Sequence, residues 1–309
     1  MSPTAIVVAG ATGDLGGRIA TALLARGASV RALLRHDAGG AARDQLDARG
    51  IDVATADARD ADSVAAACAD AACVVSALNG LSDVILDRQT VLIDAAVRAG
   101  VPRFIPSDFS ADFTKTLAGR NRNFDLRREF MGRADRAPIR VTSVLNGAFM
   151  ELLDGDMPLI QSRIRRVLFW GDADQGLDFT TKDDVATYTA AAAMDATTPR
   201  ILRIAGDSLS VRDMASVLSE TTGSNYRPLR AGSMASMSAL IGVTKRLAPG
   251  GDAVFPAWQG MQYTRDMFDG RVRLDPLDNN RYPGLSWTSV RDRFADSPAF
   301  AALRRTARA

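Results

Sequence analysis

The sequence has little of several residue types, and each scarcity excludes a class of protein. Its 309 residues include two cysteines, one histidine and three lysines, Lys115, Lys182 and Lys245. The cysteines, Cys68 and Cys73, are too few for a disulfide framework, and their spacing matches no metal site. We therefore predict two buried thiols in a reducing cytoplasm, and no bound metal.

Long apolar runs and blocks of like charge are also missing. No uninterrupted apolar stretch approaches the roughly 18 residues of a membrane-spanning helix, and the start of the chain has no basic region typical of a signal peptide. The net charge is only +2, and no basic stripe with interleaved aromatics occurs. We expect a cytoplasmic protein that binds neither membrane nor nucleic acid. Abundant alanine and a preference for arginine over lysine are typical of a GC-rich bacterial genome.

The first half of the chain alternates short β-branched runs with stretches of helical periodicity. The runs, from TAIVVAG at 4–10 to IRVTSVLNG at 139–147, lack strict polar alternation, as strands do when both sheet faces are covered. Strands that alternate with helices imply right-handed βαβ units and a parallel sheet. We predict an α/β protein with a Rossmann-type doubly wound parallel sheet and a smaller, mostly helical C-terminal substrate domain.

After about residue 150 the alternation breaks. Residues 165–195 have the pattern of strand, turn, short strand and helix, with Thr181 and Asp184 as a capping box, and RILRIAG at 200–206 predicts a strand that returns to the sheet. A helix is predicted between Ser210 as N-cap and Gly223. Further helices are predicted near 232–247, 254–268 and 286–296.

The length predicts roughly two domains at about 150 residues each. We expect a dinucleotide-binding domain of 1–155 plus about 179–205, and a substrate domain of about 156–178 plus 206–309.

A glycine motif, G-x-x-G-x-x-G, lies between the first predicted strand and helix. In that context backbone N–H groups and the positive helix end face a pyrophosphate. The alternative is a tight strand–helix connection without a ligand. The predicted contacts are Gly10, Thr12, Gly13, Asp14, Leu15 and Gly16.

The end of the second predicted strand bears on the choice of dinucleotide. NAD-binding proteins place an acid there for the ribose 2′-hydroxyl, whereas this chain has Arg35, followed by His36. An arginine can hold a 2′-phosphate with two hydrogen bonds, so we predict NADP(H), with NAD(H) less favoured. The alternative is a solvated arginine at a strand end. His36 is predicted to neighbour the adenosine rather than to act as a base.

Residues after the third and fourth predicted strands are further candidates for cofactor contact. Asp57 follows the third strand, where it could meet the adenine edge, and the fourth strand ends in small or apolar residues that let a cofactor lie close. These are Ser76, Ala77 and Leu78. A simple loop role is an equal alternative for each.

One familiar catalytic pair is absent. Many short-chain dehydrogenases use Y-x-x-x-K, in which the lysine lowers the tyrosine pKa for proton transfer. None of the four tyrosines, Tyr188, Tyr226, Tyr263 and Tyr282, is followed by a lysine four residues later. This proton relay is therefore excluded.

Across most of its length the chain resembles the NmrA-like, isoflavone-reductase-like branch of atypical short-chain dehydrogenases. The resemblance rests on GATGDLGG at 10–17, Arg35, GVPRFIPSDFS at 100–110, FDLRREFMGRADRAPIRVTSVLNGAF at 124–149 and DFTTKDDVATY at 178–188. It implies a Rossmann-type domain, a smaller C-terminal substrate domain and NADPH as cofactor.

The resemblance also implies site residues. Ser107, Asp108, Phe109 and Asn146 are expected near the cofactor, although Ser110 stands where the family favours glycine. The lysine used by the family's reductases corresponds to Arg127. Because an arginine pKa lies above 12, fewer than about one in 10⁵ molecules would be deprotonated at pH 7. Arg127 could hold an oxyanion but could not act as the base; the alternative is a solvated arginine on an exposed helix face.

Two functions remain open at this point. The first is an NADPH-dependent reductase of a small aromatic or carbonyl substrate, with Arg127 as oxyanion stabiliser and water as proton source. The second is a non-catalytic redox sensor of the NmrA type, which reads the cofactor and regulates a protein partner. A homo-oligomer is possible in either case.

Overall fold

The computed structural model describes residues 5–57, 59–298 and 300, and a six-stranded parallel sheet lies at its centre. The strands are β1 (Ala5–Ala9), β2 (Ser29–Arg35), β3 (Asp52–Ala56), β4 (Cys73–Ser76), β5 (Arg103–Ile105) and β6 (Arg140–Val141). Their order in the sheet is β3-β2-β1-β4-β5-β6. The order reverses beside β1, so the crevice between the ends of β1 and β4 is where a ligand binds in such sheets.

Helices follow the strands as the alternating pattern predicts. They are α1 (Asp14–Ala25), α2 (Gly40–Asp47), α3 (Ala61–Cys68), α4 (Gln89–Arg98), α5 (Arg122–Ala134) and α6 (Lys182–Met194). A π-helical turn, Asp83–Arg88, precedes α4. The predicted doubly wound α/β fold is confirmed.

The two faces of the sheet carry separate apolar cores. Along β1, Ile6 and Val8 join the core that includes side chains of α1 and α6, whereas Val7 joins the core built with α3, α4 and α5. Successive side chains of a strand point to opposite faces. All of these β1 residues are therefore buried, which explains the lack of polar alternation in the sequence.

The chain continues from β6 into β7 (Ser143–Leu145), which pairs in parallel with β12 (Ile201–Arg203). The strand predicted at 200–206 is thus present, but it pairs with β7 in a separate two-stranded sheet and does not return to the six-stranded sheet as predicted. Two three-stranded sheets, β13-β11-β8 and β14-β10-β9, contain the other strands of the described residues. Their strands are β8 (Ala148–Phe149), β9 (Ile160–Gln161), β10 (Arg166–Trp170), β11 (Leu177–Thr180), β13 (Asp207–Leu209) and β14 (Arg227–Gly232).

The C-terminal part adds the helices α7 (Val211–Thr222), α8 (Met234–Leu247), α9 (Ala257–Phe268) and α10 (Val290–Asp296). A third core joins these helices and the small sheets to Phe113 and to Phe124 of α5. The helix that carries Arg127 is therefore packed against the C-terminal part. The domain boundaries given above stay a prediction.

Helix caps confirm one sequence pattern and correct another. Ser210 and Asp213 form a complete capping box at α7, and Gly223 ends that helix with a φ of 72°. At α6 the Thr181 hydroxyl accepts the Asp184 N–H at 3.1 Å, but the Asp184 carboxylate accepts the Thr288 N–H instead of returning to Thr181. The capping box predicted at α6 is wrong because the Asp184 carboxylate binds the distant Thr288 N–H.

Two absences apply to the described residues, 5–57, 59–298 and 300. Within them, no helix is long and apolar enough to cross a membrane. The same part of the chain contains no group of three or more His, Cys, Asp or Glu side chains that could hold a metal ion. Cys68 and Cys73 are buried free thiols, and burial raises their pKa values, to about 11 for Cys68.

Candidate functional site

The glycine-rich turn connects β1 to α1. Gly10 has a φ of 88°, Gly13 donates its N–H to the Gly10 carbonyl at 2.9 Å, and Gly13 is the N-cap of α1. A glycine has no side chain to cap the helix, so the first N–H groups of α1 are available to a ligand. Such a helix end attracts anions.

The three motif glycines differ in what a side chain would meet. A Cβ at Gly10 would lie 2.8 Å from the Ala77 carbonyl oxygen, and one at Gly16 would lie 2.1 Å from the Gly10 carbonyl oxygen. Both positions require glycine for backbone packing. A Cβ at Gly13 would meet only the Gly10 oxygen, at 3.3 Å, among the described atoms. That contact is tight, but Gly13 is exposed, and the pyrophosphate is predicted to lie against it.

Asp14 is held beside this turn by two cations. Its carboxylate accepts hydrogen bonds from Lys182 Nζ at 2.6 Å and from Arg18 Nε at 2.7 Å, and these contacts lower its pKa. Lys182 is the first residue of α6 and lies 5.9 Å from the Phe149 ring centre. No sequence pattern pointed to Lys182, since its partner is 168 residues away. Thr12 is exposed and Leu15 is half-buried at the same turn.

Arg35 lies at the C-terminal end of β2, as predicted. Its side chain is exposed, and its Nε lies 3.4 Å from Asp37. The exposed Asp57 follows β3, where its carboxylate accepts the Arg59 N–H. That bond supports the loop alternative for Asp57, and a contact of its side chain with adenine stays a prediction.

The end of β4 forms the opposite wall of the crevice. Ala77 donates its N–H to the Ala9 carbonyl, and Leu78 accepts a hydrogen bond from Ser107 Oγ at 2.6 Å. Ser76 is fully buried, and its hydroxyl has no partner in the described part of the chain. Contact of Ser76, Ala77 and Leu78 with a cofactor stays a prediction.

Gln89 fixes the loop after β5, and it was not among the residues predicted from the sequence. Its side chain is buried; it accepts the Ser107 N–H at 2.9 Å and donates to the Ile85 carbonyl. A polar residue on the apolar side of a predicted helix was the available signal. Phe109, in the same loop, is 7% exposed.

Asp108 and Arg127 are both buried, with 0% and 8% of their surface exposed. The solvated alternative for Arg127 is therefore wrong. Arg127 donates through Nη1 to the Asn123 carbonyl, and within the described residues its Nε has no partner. Asp108 Oδ2 accepts the Ser143 hydroxyl at 2.5 Å, whereas Oδ1 is equally unpartnered there.

The electrostatics of this pair are set by burial. Burial raises the pKa of Asp108, and the Ser143 hydroxyl and the positive charges of Arg127 and Arg200 oppose that rise only in part. Asn146 is also fully buried, with an amide oxygen that lacks a partner among the residues described. Buried polar atoms are nearly always hydrogen-bonded, so unpartnered ones often mark sites of ligand or water.

Two of the tyrosines have structural roles. Tyr188 is fully buried and donates its hydroxyl to the Asp278 carbonyl, and burial raises its pKa. Burial also raises the pKa of Tyr282 to about 12, and its hydroxyl donates to Asp195. Neither tyrosine is placed to act as an acid at neutral pH.

A Rossmann-type sheet with an open helix N-terminus after its first strand is typical of dinucleotide-binding proteins. The NmrA-like family model matches residues 2–239, and the chain belongs to this family. The resemblance identified from sequence motifs is confirmed.

A curated relative, pinoresinol reductase 1 of Arabidopsis thaliana, is 30% identical over 202 residues, or 60% of this chain. The match spans 63% of that protein, which is less than two thirds of its length.

Among solved structures, the AtPrR2 complex with NADP+ and (+)pinoresinol superposes with a TM-score of 0.79 at 20% identity, covering 96% of this chain and 99% of that one. The Vitis vinifera leucoanthocyanidin reductase–NADPH complex gives a TM-score of 0.77 at 18% identity, covering 97% and 99%. These likenesses show a shared fold.

Proposed function

We propose that the protein is an NADPH-dependent reductase of a small organic substrate. The related proteins whose structures share its fold include a complex with NADP+ and a complex with NADPH. Three features of this chain support the same cofactor: the open N-terminus of α1, the exposed Gly13 at that terminus, and Arg35 in place of an acid at the end of β2.

Different residues of the chain bind different parts of the cofactor. The N–H groups at the start of α1 hold the pyrophosphate, and the Arg35 guanidinium holds the 2′-phosphate. Lys182 and Arg18 neutralise Asp14, which would otherwise repel the phosphates. When bound, NADPH supplies a hydride to the substrate.

Arg127 is the proposed catalytic residue. Its charge stabilises negative charge that develops on a substrate oxygen, and water supplies the proton because an arginine cannot. The observation that carries this role is its burial with an unpartnered Nε, near an Asp108 carboxylate that is itself incompletely paired. A buried guanidinium with a free N–H is ready to donate to a substrate oxyanion.

Substitution at Arg127 tests the proposal. We expect Arg127→Ala to reduce turnover of an accepted quinone, aldehyde or phenylpropanoid by about 10²- to 10³-fold, as loss of an oxyanion donor does. Its NADPH affinity should hardly change. Arg136→Ala, an exposed arginine just after α5, is the matched control and should turn over normally. Arg127→Lys should retain activity, and it should exceed the wild type if burial lowers the lysine pKa enough for proton transfer.

A redox sensor is the second candidate, and the arginine at position 127 favours it. The position keeps a positive charge but lacks a group that can exchange a proton near pH 7. If wild type and both variants are equally inert toward every substrate while binding NADP(H) tightly, the reductase proposal fails and the sensor stands.

A further inference from the structure

A cavity of about 70 Å³ opens at the C-terminal edge of β1, β2 and β3. Its walls are largely apolar, with contributions from Leu33, Ala56, Val64, Leu78 and Val91. Leu33, Leu78 and Val91 are only half-buried, so an apolar surface faces this opening. Covering such a surface with a flat aromatic ring is favourable.

Two arginines line the same cavity from separate elements. Arg35 comes from the end of β2, and Arg88 is the last residue of the π-helical turn before α4. π-Helical turns are rare and often occur at functional positions. Arg88 is half-buried, and it forms an ion pair with Asp83, which lies 3.7 Å away on the same turn. Such an exposed pair is weak, so Arg88 can exchange it for a ligand at little cost.

The positions of Arg35 and Arg88 indicate that they contact different parts of the cofactor. The end of the second strand is where these folds meet the ribose 2′ group, so Arg35 belongs to the 2′-phosphate. Arg88 enters from the α4 side, next to the apolar wall formed by Leu78 and Val91. A guanidinium plane stacks well on an aromatic face.

We infer that Arg88 covers the adenine ring with its guanidinium plane, against the apolar wall of this cavity. Arg88 is then an adenine-binding residue that acts on every nicotinamide dinucleotide, whereas Arg35 distinguishes NADPH from NADH. The inference rests on the cofactor part of the proposed function and is independent of the reduction step.

Calorimetric titration of the full chain with NADPH, NADH and ADP tests the inference. ADP keeps the adenine and the diphosphate but lacks the nicotinamide and the 2′-phosphate. Because a cation–π contact contributes to binding of the adenine ring, Arg88→Ala should lower the affinity for all three nucleotides by a similar factor, about 2- to 30-fold. Arg98→Ala is the matched control, because Arg98 lies at the other end of α4, paired with Asp62 and not lining the cavity.

Each other outcome overturns the inference. A loss confined to NADPH would mean that Arg88 contacts the 2′-phosphate, and unchanged affinities with natively folded Arg88→Ala would mean that it contacts no nucleotide. If the wild type binds none of the three, the cofactor assignment fails as well. Binding as expected without turnover contradicts only the reductase.

Discussion

At the scale of single residues, Arg35 sets the expected choice between cofactors. A charge-assisted pair of hydrogen bonds to phosphate contributes roughly 1.5–3 kcal/mol, so Arg35→Ala should weaken NADPH binding by about 10- to 150-fold and leave NADH nearly unchanged. Arg43→Ala, an exposed arginine on α2 that lies 4.0 Å from Asp47, is the control. Equal losses for both cofactors would show that Arg35 has no contact with a 2′-phosphate.

Gly13 tests the predicted position of the pyrophosphate. Gly13 is exposed, and a Cβ there would make one tight contact, 3.3 Å from the Gly10 carbonyl oxygen, so Gly13→Val should fold with a small local shift and yet lose measurable binding of all nicotinamide cofactors. Gly16→Val is the contrast, because its Cβ would lie 2.1 Å from the Gly10 carbonyl oxygen and the variant should be strongly destabilised. Cofactor titration and thermal unfolding measure the two effects. Normal affinity in Gly13→Val would mean that the turn holds no phosphate.

The sequence predicts local site features well and distant ones poorly. The glycine turn and Arg35 are set by residues adjacent in the chain, and the structure places both at the crevice. Lys182, Gln89 and Arg88 come from elements whose approach depends on tertiary packing, so no local pattern identifies them. The burial of Arg127 was likewise open, because two arginines stand side by side in the sequence and only packing decides which faces inward.

At the scale of elements, a charged contact joins α1 to α6 beside the phosphate turn. Lys182→Met should leave the negative charge of Asp14 less neutralised. The affinity for all nicotinamide cofactors should fall by about 2- to 5-fold, the range of one exposed ion pair. Asp14→Asn in the same chain should restore most of the affinity, since the repulsive charge is gone. Cofactor titration at low salt, with the wild type, each single variant and the double variant, measures whether the two changes are coupled. Independent effects of the two changes would argue that Asp14 does not repel the phosphates.

The network around Asp108 joins the loop after β5 to β7 and should respond to pH. Burial raises the pKa of Asp108, so the folded chain binds that proton more tightly than the unfolded chain. The contribution of Asp108 to the free energy of unfolding is fully present below the ordinary aspartate pKa of about 4. It is lost as the pH rises through the raised pKa of Asp108. The wild type should therefore lose stability relative to Asp108→Asn as the pH rises above about 4.

Urea midpoints across pH measure this difference. Asp37→Asn, which removes an exposed carboxylate, is the control and should run parallel to the wild type. Midpoints of Asp108→Asn that also run parallel to the wild type would contradict a buried carboxyl with a raised pKa.

Secondary structure was predictable where the pattern is local and strong. The sheet strands and their helices follow β-branched runs and helical periodicity, and the run SVRALLR at 29–35, which predicts the second strand, agrees with β2 at both ends. The small strands β13 and β14 were missed. β14 is mostly exposed and rich in polar residues, and pairing with β10, not composition, makes it a strand.

At the scale of the whole molecule, the strand order brings residues far apart in sequence to one crevice. The α1 turn, the ends of β2 and β4, and the loop after β5 meet there, while α5 carries Arg127 between this sheet and the C-terminal core. The overall fold followed from alternation of elements. The C-terminal contacts of α5 did not, because Phe124 joins a core whose other members lie up to residue 300.

Transfer of a labelled hydride is the most direct test of the account. The full chain is incubated with NADPH deuterated at the nicotinamide C4, separately on each face, and with aldehydes and phenylpropanoids, whose carbon atoms retain a transferred deuteride, and the products are analysed by mass spectrometry. We predict a reduced product that carries deuterium from one of the two labelled cofactors, in an amount lowered by Arg127→Ala. Tight NADP(H) binding with no deuterium in any product would contradict the reductase and support a sensor.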